Sequence, residues 1–305
     1  AGGIDVTATG HYETVALSDG FKGFRISVKG LTGGHSGMDI HLGRGNANKI
    51  MNRLLYLGSR QFGLHISQID GGSLRNAIPR ESFSIVAVPN ENASHFADFV
   101  EKEAEVLAAE YNITDPGMSI SMEKNDAPQD VLQLGSQERL LKALYACPNG
   151  IYRMSPAING LVQTSNNVAR VLVKDGHFTV MCLTRSSVDS EKMDLAHAIQ
   201  ACFELASADV AFSGSYPGWT PMPDSTIVHL MRGRYQEMFK EEPHVNACHA
   251  GLECGIIGGS HPGMEMISFG PNIRGAHSPD ETVQVSSVQK FWKFLLETLK
   301  NAPTN

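Results

Sequence analysis

Apolar and polar side chains alternate along "FKGFRISVKG", residues 21–30, a period of two that predicts a strand with one buried face. The period then lengthens. "GNANKIMNRLLYLGS" sets Ala47, Ile50, Met51, Leu54 and Leu55 on one helical face, and Gly58 is placed to end that helix. "FGLHISQIDGGS" and "ESFSIVAVP" read as two strands flanking the turn "GGSLRNAIP", with a helix over about 92–111 behind them. A fainter echo of this β, α, β, β, α order follows. "GMSISMEK" is strand-like, "VLQLGSQERLLKALYAC" holds a helix, and "NNVARVLVKDGHFTVMCLTR" reads as a hairpin turning at Asp175-Gly176. Leu195, Ile199, Cys202 and Ala206 then recur at helical spacing before "ADVAFSGSY".

The pattern changes at "YPGWTPMPD", a link with three prolines. Beyond it come a helix over about 224–240, a short strand near His244–Ala247, a Gly-rich loop, the strand "MEMISFG" and a last helix carrying Val285, Val288, Trp292, Leu295 and Leu299. The expected architecture is an α+β domain with antiparallel sheets over residues 21–212, made of two units that meet near residue 112. Residues 1–20 precede it as the end of another segment and a linker. Residues 213–305, with strands alternating with helices, are expected to be part of an α/β domain whose other strands lie elsewhere.

Composition narrows the function classes. At 305 residues the chain has room for two domains, and 42% hydrophobic with 19% charged residues is globular rather than disordered. The net charge of −7 comes with no Lys/Arg run, which argues against a nucleic-acid partner. No apolar stretch approaches the roughly 20 residues of a membrane span, and no signal pattern opens the chain, so a cytoplasmic protein is expected. Five scattered cysteines fit reduced thiols. The opening "AGGIDV" lacks an initiator methionine and reads as an entry in mid-protein.

Several places could carry chemistry. His277 follows a strand-like run in "ISFGPNIRGAHSPDE" and suits a metal, although one histidine cannot hold a catalytic zinc and a loop histidine satisfied by backbone is the plainer reading. His244, Cys248, His249, Cys254 and His261 lie within a short span, but without the tight ligand pairs of structural zinc sites. In "GLTGGHSGMDIHLGRGNA", glycines crowd His35 and Ser36, letting a ring N–H approach a ligand as an oxyanion donor; otherwise His35 caps the next helix. Asn76 precedes an Ile-Pro, where its amide could orient substrate or simply make a turn. Arg185 ends a strand, as a carboxylate clamp or as a surface partner of Asp189 or Glu191. Thr164 and Ser165 offer hydroxyls of low specificity.

Taken together, "KGLTGGHSGMDIHLGRGNA", "GGSLRNAIPR", "CLTRSSVDS", "CHAGLECG" and "GPNIRGAHSPDE" resemble the aminoacyl-histidine dipeptidases, within the dinuclear zinc peptidase family of carnosinases and aminoacylases. The resemblance runs from Ala1 to the last helix. It implies a zinc-bearing α/β catalytic domain interrupted by a lid, with residues 21–212 as the lid and 213–305 as the returning catalytic portion. It also implies hydrolysis of Xaa-His dipeptides by a water activated by two zinc ions per full-length subunit, with other divalent metals possible, and a homodimer formed through the lid. His277 would be a metal ligand, His35 the lid histidine that stabilises the oxyanion or holds the substrate carboxylate, and Arg185 the grip on the substrate's C-terminal carboxylate. Asn76, Thr164 and Glu253 would border the substrate.

The family's remaining metal ligands match nothing in this chain, so a C-terminal portion inactive by itself is expected. The alternative is a lid-type binding or dimerisation module without catalysis.

Overall fold

The computed structural model describes residues 1–274 and 281–302. Along the chain its strands are β1 (Gly2–His11), β2 (Thr14–Ala16), β3 (Phe21–Lys29), β4 (Gly34–His35), β5 (His65–Gly72), β6 (Ala77–Ile78), β7 (Ser82–Pro89), β8 (Ser119–Asn125), β9 (Asp130–Leu132), β10 (Gly150–Met154), β11 (Val162–Lys174), β12 (His177–Ser186), β13 (Asp209–Tyr216), β14 (Ile273–Arg274) and β15 (Thr282–Val283). The helices are α1 (Ala47–Phe62), α2 (Ala93–Glu110), α3 (Leu134–Ala146), α4 (Asp189–Glu204), α5 (Thr226–Phe239), α6 (Glu253–Ser260) and α7 (Val285–Lys300). Two compact units result. One comprises residues 1–218 with 248–251, and the other residues 219–247 with 252–305.

The first unit is built on one nine-stranded sheet in the order β13-β1-β12-β11-β5-β7-β3-β8, with β10 beside β11. Every pairing in it is antiparallel. The antiparallel α+β architecture expected from the alternation is therefore present, as one continuous sheet rather than two. β1 is an interior strand, paired with β12 on one side and β13 on the other.

Helices α1 to α4 cover one face. Ile4, Val6 and Ala8 of β1 and Ile26 and Val28 of β3 turn inward with Leu54, Leu55, Phe96, Leu195 and Phe203, all almost wholly buried. Strand alternation sends the intervening residues to the other face. The β11–β12 hairpin turns at Asp175 and Gly176, both at positive φ (53° and 77°), as that dipeptide predicts.

One boundary differs from expectation. Gly58 does not end α1; the helix runs on to Phe62 and closes on Gly63, whose φ of 66° is left-handed and whose N–H donates to the Gly58 carbonyl. Glycine is kept at 58 for space. A Cβ there would lie 2.9 Å from Phe96 and 3.0 Å from Leu64, so its absence lets α2 pack close. Asn46 caps the other end, its side chain accepting from the N–H groups of Asn48 and Lys49.

In the second unit, Tyr235 and Phe239 of α5, Phe291 and Phe294 of α7, and Phe269 form an aromatic cluster. The expected strands at 244–247 and in "MEMISFG" are not formed. Alternation supplies a face to bury, but a strand also needs a neighbour to complete its ladder. The described residues of this unit give only the two-residue ladder of β14 with β15. The stripe that predicts α7 is likewise uncovered, with Val285, Trp292 and Leu299 exposed and Phe294 the buried residue of the helix.

Candidate functional site

The site grows out of one row of the sheet. Ser165 on β11 pairs directly with Arg185 on β12, Arg185 with Gly3 on β1, and Gly3 with Tyr216 on β13. Directly opposed residues share a face, so this row presents Ser165, Arg185 and Tyr216 away from the helices. The adjacent row points the other way. Thr164, one residue from Ser165, is fully buried with its hydroxyl shared between Ser186, 2.9 Å away, and Glu191 of α4, at 2.8 Å.

Arg185 is the electrostatic centre. It is 5% exposed, donating from Nη1 to the Tyr216 hydroxyl at 2.7 Å and from Nε to Ser36 Oγ at 3.4 Å. Among the described residues no carboxylate lies within ion-pair distance of it. Asp189 pairs with Lys192, and Glu191 with Arg153, so the surface ion pair weighed as the alternative is not made. A buried cation without a counter-charge is costly, and such a group favours any anion that reaches it.

The glycine-rich loop delivers His35 to the same place. Gly33 and Gly34, at φ of 66° and 136°, bend the chain into β4, where His35 pairs with Ala77 of β6. The His35 N–H donates to Asp39, while its Nδ1 accepts from the N–H groups of Gly37 (3.1 Å) and Met38 (3.0 Å). With Nδ1 acting as acceptor, the neutral ring carries its proton on Nε2. His35 does not cap α1, a role Asn46 fills.

Gly37 allows the close approach. A Cβ on it would lie 2.3 Å from the His249 carbonyl and 3.2 Å from both Arg185 Nε and His35 Cε1. Asn76 adjoins the loop, its carbonyl accepting from Ser36 N–H at 2.8 Å while its side chain is exposed.

The structure adds two residues to this cluster. His249 is 6% exposed, its Nε2 2.7 Å from Ser165 Oγ. Burial, reinforced by the positive charge of Arg185, pushes its pKa down to about 3 and keeps the ring neutral. Tyr216 is the other, described above. Both come from distant parts of the chain, and the row exists only once β1 has paired between β12 and β13.

Residues 26–115 match the peptidase dimerisation domain. Over 303 residues the chain is 39% identical to the cytosol non-specific dipeptidase of Escherichia coli (strain K12), a match covering 99% of this chain and 62% of that protein. The crystal structure of aminoacylhistidine dipeptidase from Vibrio alginolyticus superimposes with a TM-score of 0.93 at 41% identity, covering 100% of this chain and 62% of that one. The chain is similar to these two dipeptidases along nearly all of its own length. It spans about three fifths of the length of these relatives.

His277 lies outside the described residues. Glu253 opens α6 in the second unit and is exposed. Among the described residues no three His, Cys, Asp or Glu side chains gather as a metal ion requires, so the local Cys/His arrangement is not formed. The described residues therefore do not fit a metal centre by themselves. What they build is a cluster of hydrogen-bond donors, with the buried Arg185 guanidinium beside the loop that fixes the tautomer of His35.

Proposed function

We propose that the first unit supplies the substrate-carboxylate grip and the oxyanion donor of a dipeptide hydrolase acting on Xaa-His dipeptides. One observation carries this reading: Arg185, buried and without an acidic partner among the described residues, beside the loop that holds His35. Its planar fork suits a terminal carboxylate. The Nε2–H of His35 suits an oxygen that gains charge as the peptide carbonyl is attacked. Asn76 adjoins the loop and acts beside it, whereas Thr164, bonded to Ser186 and Glu191 on the helix face, does not reach the substrate from there. The names of the two relatives support the substrate class.

Metal chemistry, with zinc as the expected ion, would activate the attacking water. Its ligands are assigned to His277 together with the portion of the longer relatives that this chain does not span. The match over 26–115 supports a homodimer formed through the lid, and also the second reading of a dimerisation module without catalysis. The cytosolic setting follows the name of the Escherichia coli relative, and no described helix is long and apolar enough to cross a membrane.

The test uses a polypeptide extended to the full length of those relatives. Arg185→Ala and His35→Ala are expected to cut turnover of a Xaa-His dipeptide severalfold or more while metal content stays at the wild-type level. Equal metal loss in both variants would overturn the two roles. A full-length protein without peptidase activity would favour the module.

A further inference from the structure

Gly3 is the cross-strand partner of both Arg185 and Tyr216, and it puts no side chain between them. A Cβ at that position would lie 2.6 Å from the Cζ and hydroxyl of Tyr216. Across this gap the Arg185 Nη1 donates to the phenolic oxygen at 2.7 Å. Gly251 borders the ring as well, since a Cβ there would come within 2.9 Å of Tyr216 Cε2. Two glycines thus seat one phenol against one guanidinium.

Donor counting then gives the phenol a role. Arginine can only donate, so its bond occupies a lone pair of the Tyr216 oxygen and leaves the phenolic O–H to be given elsewhere. Among the described residues that O–H has no acceptor, and Nη2 of Arg185 has none either. Tyr216 is only part-buried, so a ligand can reach it.

We propose that Tyr216 is a second binding residue for the substrate's terminal carboxylate, its O–H and the unspent N–H groups of Arg185 sharing the two oxygens. The inference rests on the reading of Arg185 as the carboxylate grip. It makes the site selective for a free C-terminus: a terminal amide offers one acceptor oxygen and, in place of the second, an NH2 that faces donors.

The probes are a Xaa-His dipeptide and its C-terminal amide, titrated calorimetrically against the wild type, Tyr216→Phe and Gly3→Ala. The wild type should prefer the acid. Tyr216→Phe removes the hydroxyl's bond to the charged group together with the acceptor of Arg185 Nη1, and should lose about tenfold in affinity for the acid and little for the amide. Gly3→Ala keeps the hydroxyl but fills the gap, and should narrow the preference in the same way. A Tyr216→Phe protein that keeps the full wild-type preference overturns the inference while leaving the Arg185 reading standing. An equal loss for acid and amide overturns it too, as a general structural effect. A wild type that binds both probes equally overturns the Arg185 reading itself, and this inference with it.

Discussion

Ser165 Oγ and His249 Nε2 lie 2.7 Å apart in a wholly buried contact that joins β11 to the 248–251 loop. The consequence is a pH dependence. In the folded chain the pKa of His249 is lowered to about 3 by burial, against an ordinary 6.5. Between those values the unfolded histidine binds a proton that the folded one refuses, so stability rises with pH from about 3 to about 6.5 and this contribution is flat above. Urea unfolding across that range should give a shallower pH slope for His249→Gln than for the wild type. Parallel profiles would mean that the imidazole titrates alike in both states.

Arg185 predicts a trade between stability and binding. Its guanidinium is buried without a carboxylate in reach among the described residues, and replacing a buried charge by an apolar side chain of similar length often stabilises. Arg185→Met should raise unfolding stability by about 1 kcal/mol or more while abolishing preference for a dipeptide acid over its amide. A clear loss of stability would show that the bonds to Tyr216 and Ser36 outweigh the cost of burial.

Why so much of the first unit is legible in sequence, and so little of the second, follows from where each apolar face is covered. Ala47, Ile50, Met51, Leu54 and Leu55 share a helical face, and each is buried against neighbours in the same unit. "MEMISFG" carries a similar strand signal without a partner strand among the described residues, and it stays irregular. Site residues divide on the same principle. Glycine crowding marks His35, and the end of a strand marks Arg185, both within a few residues.

Tyr216 and His249 carry no such local mark, because their roles depend on pairings that span most of the chain. Thr164 and Ser165 are indistinguishable until the sheet's faces are known, since one step along a strand reverses the face. The structure places Ser165 on the Arg185 face and Thr164 on the helix face. The Cys/His-rich stretch around His249 invites a metal reading, whereas the ring itself is buried and neutral against a serine.

Asp115 predicts how far the site depends on its supports. It is 2% exposed, and its two oxygens hold both ends of the loop carrying His35: Oδ1 accepts from Thr32 N–H at 2.8 Å and Oδ2 from Gly45 N–H at 2.7 Å. Oδ2 also accepts from the Thr114 hydroxyl at 2.8 Å. Asp115→Asn keeps the shape but turns an NH2 toward a backbone N–H, leaving two donors face to face in a buried place. Hydrogen bonds to charged groups of this kind carry about 1.5–3 kcal/mol, so the variant should lose roughly 2 kcal/mol of stability. Loosening should be local as well, with faster hydrogen exchange over residues 32–45, because these are the amides the carboxylate anchors. Dipeptide affinity should fall with it, since Gly37 and His35 meet Arg185 only while the loop is held. Wild-type stability together with unchanged exchange in 32–45 would show that β4–β6 pairing and the Asp39 contact hold the loop without Asp115.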